Sequence, residues 1–183
     1  MIHWLVLTGG SSSRFGKDKA STEFHGRSLA DRAVDAVHAV DGGAPVTLVG
    51  PERAGGPAAA IVSMLPELNV DFVGVLAVDM PFAQRALNQV VDVWRTQRSD
   101  QLIDAWVPED SSGRHQWLCA VYRRAALVRA AEEHDDWDGV AFHALVGDLA
   151  SSLVHFPSSV SLLDIDTPED FQRALDAAEE LGR

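Results

Sequence analysis

Two almost entirely apolar runs constrain the fold of this chain more than any other feature. They cover residues 2–8 and 72–78, and neither alternates between apolar and polar side chains. A strand with one solvated face would alternate, so such runs are typical of parallel strands that are buried on both faces. Burial of both faces requires helices on both sides of the sheet. The sequence therefore predicts an α/β fold.

Strands and helices alternate along the rest of the chain. Ser28 is a suitable N-cap for a helix over 29–40, with Asp31 three residues later to return the hydrogen bond, while Thr167 and Pro168 mark the start of a terminal helix. Further predicted strands are 45–49, 102–107, 116–122, 151–156 and 161–165, and further predicted helices are 57–65, 83–98, 125–133 and 140–149. We expect residues 1–183 to form a single Rossmann-like, three-layer domain with a mostly parallel mixed sheet.

Composition excludes several classes of protein. Apolar residues make up 46% and charged residues 23% of the 183 residues, which is ordinary for a globular domain. The formal net charge of −12 argues against nucleic acid or a membrane surface as the main partner. A lone cysteine, Cys119, excludes an intramolecular disulfide and fits a reducing compartment. Because the N-terminal apolar run is short and lacks a basic leader, we expect a cytoplasmic location.

A loop rich in glycine and serine follows the first predicted strand. Its sequence, LTGGSSSRFGKDKA over residues 7–20, lets the backbone approach a ligand closely and aligns successive N–H groups toward an anion. Arg14 and Lys19, with Lys17 as a helper, supply positive charge for a triphosphate in an otherwise acidic chain. The spacing matches neither the GxxxxGK[ST] loop nor the GxGxxG fingerprint. The alternative interpretation is a surface loop with scattered cations.

The pattern LxGGxSxRxGxDKA resembles the signature of the molybdenum cofactor guanylyltransferases and their relatives among the Rossmann-like nucleotidyltransferases. The resemblance implies that the backbone around the first glycine holds the nucleotide and that the arginine and lysine contact its phosphates. These roles fall on Leu7, Thr8, Gly9, Gly10, Arg14 and Lys19.

Asp79 follows the second apolar run, in the segment AVDMPF. Ligands of open α/β sheets bind at the carboxyl ends of the strands, and Mg²⁺ binds one or two carboxylates together with phosphate oxygens. By itself this residue could equally cap the following turn. The resemblance favours the metal role, because the family carries a metal-binding aspartate in a similar context, of which Asp79, Pro81 and Phe82 remain.

A second acidic pair lies before the terminal helix. Asp164 and Asp166, in DIDTPED, resemble the acidic or amide position that the family places near its metal. We expect Asp164 to complete the metal shell and Asp166 to support it, the alternative being that both residues help to start the helix. The acidic run 132–138, by contrast, lacks ligand spacing and is predicted to be a solvated loop.

The chain departs from the family after the second strand. The guanylyltransferases have a helix, a third strand and a guanine-reading acidic residue before their GPLAG motif, whereas here GPERAGG leads directly from Val49 to Pro57. Gly56 and Pro57 resemble that motif and are expected to bind the nucleotide. The residues that select guanine in the family have no counterpart. Gln116 and Trp117 are candidates for the side of the second substrate.

The resemblance implies a Mg²⁺-dependent nucleotidyltransferase with Arg14, Lys19 and Asp79 as its catalytic residues. The implied substrates are GTP and a molybdopterin-like phosphorylated acceptor, and the implied products include pyrophosphate. A cytidylyltransferase or a sugar-phosphate nucleotidyltransferase uses a similar first loop. From a different class, a catalytically silent relative would bind a nucleotide or a partner protein without turnover.

Overall fold

The structure, a computed structural model, describes residues 1–9, 19–53 and 55–180. Its centre is a six-stranded sheet with strand order β4-β1-β5-β7-β6-β8. β7 runs antiparallel to both of its neighbours, and the other pairings are parallel. The predicted α/β class with a mostly parallel mixed sheet is therefore confirmed.

The described elements alternate as the sequence indicates. The strands are β1 (Ile2–Leu7), β2 (Glu23–Phe24), β3 (Arg27–Ser28), β4 (Val46–Val49), β5 (Phe72–Ala77), β6 (Ala105–Glu109), β7 (Cys119–Arg123) and β8 (Ser151–His155). The α-helices are α1 (Leu29–Val40), α2 (Gly56–Met64), α3 (Ala83–Gln97), α4 (Arg124–Ala131), α5 (Phe142–Val146) and α6 (Pro168–Glu180). Short 3₁₀ turns cover Leu65–Glu67 and Ser159–Leu162.

The two apolar runs form the centre of the sheet, where β1 and β5 pair in parallel. Alternate side chains of β1 enter two separate hydrophobic clusters: Trp4 and Val6 pack with α1, α3 and α6, whereas Leu5 and Leu7 pack with α2, α4 and α5. Helices thus cover both faces of the sheet, which explains why these strands lack the alternation of a half-exposed strand.

Because β1, β4, β5, β6 and β8 share one direction, their carboxyl ends meet at one edge of the sheet. The β1 strand ends there at Leu7 and β5 at Ala77, and Val78 N donates a hydrogen bond of 3.2 Å to Leu7 O. The loops that follow these strands are therefore neighbours in space. In open α/β sheets this edge is where ligands bind.

Both predicted helix starts are present. Ser28 Oγ accepts a hydrogen bond from Asp31 N (3.0 Å) at the start of α1. At α6, Thr167 Oγ1 accepts from Asp170 N (3.1 Å), and Asp170 Oδ2 accepts in return from Thr167 N (2.9 Å). This reciprocal pair satisfies donors that the first turn of a helix leaves without partners.

The predicted strand at 161–165 is wrong, because the chain instead forms the 3₁₀ turn Ser159–Leu162 and an irregular segment. Leu163 and Ile165 have the two-residue spacing of a strand, but Leu162 and Ile165, three residues apart as suits a tight turn, are the pair buried in the cluster that contains α3. The helix predicted over 140–149 is shorter, at Phe142–Val146. The strand predicted over 102–107 is shifted to Ala105–Glu109, and Leu102 is exposed.

A small hairpin of β2 and β3 precedes α1 and was not predicted from the sequence. Its two-residue turn places both His25 (φ 50°) and Gly26 (φ 73°) in the left-handed region. Across residues 1–9, 19–53 and 55–180, no helix has the length and apolar character to cross a bilayer.

Candidate functional site

An ammonium group bridges two carboxylates at the carboxyl edge of the sheet. Lys19 Nζ donates to Asp166 Oδ1 at 2.7 Å and to Asp79 Oδ2 at 3.2 Å. The Lys19 and Asp79 side chains retain only 16% and 22% of their exposure, whereas Asp166 retains 56%. The lysine after the glycine-rich loop and the aspartate after β5 are 60 residues apart in sequence, and the fold joins them.

The backbone fixes the segment that carries Asp164 and Asp166. Ile165 N donates to Asp79 O at 2.9 Å, which ties this segment to the end of β5. Asp170 Oδ2 accepts from Asp166 N at 3.2 Å, in addition to its bonds with Thr167. The cap of α6 therefore also orients Asp166 toward Lys19.

The environment raises the pKa values of both Asp79 and Lys19. Burial raises the pKa of the Asp79 carboxyl above its usual range, and the charges of Asp166 and Asp164 add to this effect, while Lys19 opposes it. For Lys19 burial acts to lower the pKa, but hydrogen bonds and charges from Asp166 and Asp79 outweigh it and raise the pKa. Lys19 therefore remains a cation at neutral pH.

The Asp170 carboxyl, by contrast, has a pKa lowered to about 2, chiefly by the hydrogen bond from Thr167 and further by Arg173. A lowered pKa adds stability that is complete above the unfolded value of 3.8 and is lost as the pH falls toward 2. We therefore expect Asp170→Asn to lower the free energy of unfolding by about 1 kcal/mol at neutral pH, the usual contribution of an N-terminal cap. Urea unfolding should show this deficit shrinking below about pH 4.

Asp79→Asn is expected to change the pH dependence of stability in the opposite direction. A raised pKa means that wild-type protein loses stability as the pH rises through the folded pKa of Asp79. The Asp79→Asn variant lacks this loss, so its stability relative to wild type should increase as the pH rises above about 4 in metal-free buffer. The same trend in both variants would contradict the two opposite shifts.

A cavity of about 520 Å³ opens beside this cluster. Asp79, Asp164 and Asp166 line one part of it, and 114–118 with Phe142 and His143 line the rest. Pockets of roughly 300–1,000 Å³ suit small organic ligands. The predicted candidates Gln116 and Trp117 lie in this wall, on the same cavity as Asp79.

A tight turn holds Arg114 at the cavity. Asp110 Oδ1 accepts from Ser112 N (2.8 Å), Ser112 Oγ (2.6 Å) and Arg114 N (3.0 Å), and these bonds lower the pKa of Asp110. Arg114 Nη2 lies 3.4 Å from Asp164 Oδ2. Among the described residues that line this cavity, Arg114 is the one arginine or lysine.

A second cavity, of about 530 Å³, lies next to the end of β1. Its walls include Leu7, Gly9, Arg53, Gly56 and Pro57, so the predicted nucleotide-binding positions on β1 and at the start of α2 share one space. Gly9 has no room for a side chain, because a Cβ there would lie 3.1 Å from the backbone of Gly50.

The remaining predicted positions divide between the loop and the strands. Thr8 N and Thr8 Oγ1 both donate to Val49 O, at 2.9 and 3.1 Å, which fixes the start of the loop against β4. Gly10, Arg14 and Lys17 lie outside the described residues.

The carboxylates fit the Mg²⁺ that the resemblance implies. In the described part of the chain, no group of three or more histidine, cysteine, aspartate or glutamate side chains is arranged to hold a metal alone. Mg²⁺ normally needs only one or two carboxylates when phosphate oxygens complete its shell. Asp79, Asp164 and Asp166 line the same cavity. Lys19 contacts Asp79 and Asp166, and Arg114 lies beside Asp164, so a triphosphate that draws these two cations to its phosphates would leave the carboxylates to a metal.

Sequence reasoning missed two residues at these cavities. Arg114 begins the segment that resembles the family's strand on the side of the second substrate, but only Gln116 and Trp117 were candidates there, and Asp138 belongs to the acidic run interpreted as a solvated loop. Asp138 lies against Gly55, next to the second cavity. Neither position carries a local motif, so no signal in the sequence marks them.

Comparison with known proteins identifies the family. The model of the MobA-like NTP transferase domain matches residues 4–145, well over half of the chain. The chain belongs to this family. It is accordingly a nucleotidyltransferase, with the glycine-rich loop, α2 and Asp79 all inside the matched region.

Individual relatives agree with this assignment. A protein of Chloroflexus aggregans named as a probable molybdenum cofactor guanylyltransferase is 29% identical over 195 residues, covering 94% of this chain and 92% of its own. The structure of molybdopterin-guanine dinucleotide biosynthesis protein A from Archaeoglobus fulgidus superimposes with a TM-score of 0.71 at 19% identity, covering 98% of this chain and all (100%) of its own.

A cytidylyl-type enzyme shares the same fold. The structure of 4-diphosphocytidyl-2C-methyl-D-erythritol synthase from Anaerococcus prevotii has a TM-score of 0.65 at 13% identity, with 98% of each chain covered. At such identities the solved structures show a common fold, whereas the nucleotide and the acceptor depend on the residues of each site.

Proposed function

We propose that this protein transfers GMP from GTP to a molybdopterin-like phosphorylated acceptor in the cytoplasm, with release of pyrophosphate and with Mg²⁺ as cofactor. The observation that carries the proposal is the position of Lys19, which lies between Asp79 and Asp166 at the edge of the sheet where the two cavities open. The likeness to a probable molybdenum cofactor guanylyltransferase supports this choice of substrates.

In the proposed reaction a phosphate oxygen of the acceptor attacks the α-phosphorus of GTP. A bond forms between these atoms, the bond from the α-phosphorus to the bridging oxygen breaks, and pyrophosphate leaves with that electron pair. A phosphate acceptor is already nucleophilic at neutral pH, so no protein base is needed. Catalysis then consists of positioning and charge neutralisation.

The chain's own groups have separate tasks in this scheme. The nucleotide is held by the backbone of Thr8, Gly9 and Gly10. Gly56 and Pro57 contact its nucleobase. Lys19 and Arg14 contact the phosphates and neutralise their negative charge.

Asp79 and Asp164 are the proposed metal ligands. Bound Mg²⁺ would neutralise phosphate oxygens and align the triphosphate for attack. Asp166 accepts from Lys19 at 2.7 Å and would release it to the phosphates of a bound triphosphate.

Calorimetric titration with GTP and then CTP, each with and without Mg²⁺, tests the proposal. We expect Mg²⁺-dependent binding of GTP, followed by pyrophosphate release when molybdopterin is added. The Mg²⁺ concentration for half-maximal binding should rise more in Asp164→Asn than in Asp166→Asn. Preference for CTP would replace the substrate assignment, and binding without turnover would indicate a silent relative.

A further inference from the structure

The second cavity has a polar group at its margin that the proposed function does not use. Asp138, in the acidic run 132–138, packs its carboxylate over the first turn of α2. A Cβ built on Gly55 would lie 2.7 Å from Asp138 Oδ1. Gly55 lines the cavity together with Gly56 and Pro57.

The loop that carries Asp138 is anchored on both sides of this residue. Trp137 is 5% exposed, packs in the same hydrophobic cluster as Leu7, and donates from Nε1 to Ala131 O at 3.0 Å. Gly139 N donates to Gly55 O at 2.8 Å. The carboxylate is thus held at the start of α2 by its two neighbours and need not be ordered by a ligand.

The Asp138 carboxylate is also available to a ligand. Its side chain is exposed, and across the described residues its oxygens have no hydrogen-bond or ion-pair partner. Three of the backbone acceptors beside the cavity are already used: Val49 O accepts from Thr8, Gly50 O from Arg53, and Gly55 O from Gly139. The other carboxylate at this margin, Glu52, already accepts from Gly50 N at 3.0 Å, whereas Asp138 keeps both oxygens for a ligand.

An ionised carboxylate is complementary to only one pattern of hydrogen-bonding groups on the edge of a nucleobase. It only accepts hydrogen bonds, through two oxygens side by side, so it matches two adjacent N–H donors. Guanine presents such a pair in its N1–H and 2-amino groups. Adenine and cytosine place an acceptor next to their amino group, and uracil flanks its single N–H with carbonyl oxygens.

We infer that Asp138 is the residue that selects guanine, accepting from N1–H and the 2-amino group of a base bound in the cavity beside Gly55. This inference rests on the proposed function for the presence of a nucleotide in that cavity. It adds the residue that makes the site selective for guanine. Asp138 acts in specificity and takes no part in the chemical step.

The test compares the affinities of GTP, ITP and ATP in the presence of Mg²⁺ by calorimetry. ITP keeps N1–H but lacks the 2-amino group, so it isolates one of the two hydrogen bonds. Wild-type protein should bind GTP roughly tenfold more tightly than ITP, since a hydrogen bond to a charged group contributes at least this factor. ATP, which lacks both donors, should bind more weakly still.

The variant Asp138→Asn should bring the GTP-to-ITP ratio close to one while the affinity for ITP changes by less than about threefold. Asp135→Asn, an exposed acid of the same loop, is the matched control and should keep the wild-type ratio. If Asp138 only stabilises the start of α2, all three nucleotides should weaken by one common factor. That result, or a preference unchanged in Asp138→Asn, would overturn the inference.

The same titrations distinguish failure of the proposed function from failure of this inference. Wild-type protein that binds no nucleotide would contradict the nucleotide site itself and with it the inference. GTP binding with an unaltered preference in Asp138→Asn would leave the nucleotide site standing and remove only the role of Asp138.

Discussion

Replacing Lys19 by alanine is expected to slow pyrophosphate release from GTP by about a hundred- to a thousand-fold, the usual effect of removing one preorganised charge. The Lys19 side chain is 16% exposed, so water cannot readily substitute for its ammonium group. It also remains charged, because Asp166 and Asp79 raise its pKa. The measurement is steady-state turnover with saturating acceptor and Mg²⁺.

The loss should fall more on kcat than on the affinity for GTP. Lys19 has two carboxylate partners, at 2.7 and 3.2 Å, so part of the free energy that it gains from the ground-state triphosphate is offset by the loss of these contacts. The interaction of Lys19 with the negative charge that develops on the phosphates in the transition state carries no such offset. An interaction that strengthens only there raises kcat.

Arg95→Ala is the control for this variant. Arg95 pairs with Asp92 at 2.9 Å and donates to Val40 O at 2.9 Å, so this variant removes an ion-paired cation that lies outside the two cavities. Turnover should stay near that of wild type. A Lys19→Ala enzyme within a few-fold of wild type would remove the lysine from the catalytic assignment.

The fold could be predicted to the extent that its elements are locally determined. The buried runs at β1 and β5 leave few alternatives to a sheet covered on both sides, and the caps at Ser28 and Thr167 mark their helices directly. The segment 161–165 could not be predicted in the same way. Its apolar spacing suits a strand or a tight turn, and packing against α3 decides between them.

The sequence predicts which residues belong to the site, but it does not predict which of them contact one another. Lys19 and Asp79 follow from the motif and from the end of β5. That Lys19 contacts Asp166 depends on two backbone bonds, from Ile165 N to Asp79 O and from Asp166 N to Asp170. The first of these bonds joins segments far apart in sequence and leaves no local pattern, whereas the second belongs to the cap of α6. The position of Asp138 at the start of α2 is of the same kind.

Gly74→Ala should be among the most destabilising single-methyl additions to this protein, at about 3 kcal/mol, the upper end of the usual cost of overpacking a core. Gly74 lies in β5 directly opposite Trp4 in β1. A Cβ at Gly74 would overlap the indole ring, with even Cζ3 only 2.6 Å away. Trp4 is fully buried (0% exposed), so its ring has no free space into which it could move. Urea unfolding would measure the loss.

A double-mutant cycle isolates the clash from other effects of the methyl group. Trp4→Leu destabilises the protein by itself, because it leaves a cavity, but it removes the ring that the methyl group added by Gly74→Ala would strike. The two changes together should therefore cost at least about 1 kcal/mol less than their sum. Gly42→Ala is the matched control, since a Cβ there meets only His38 O, at 3.7 Å, and stability should change little. Strict additivity of the Gly74 and Trp4 changes would mean that the indole ring is not what requires a glycine at the centre of the sheet.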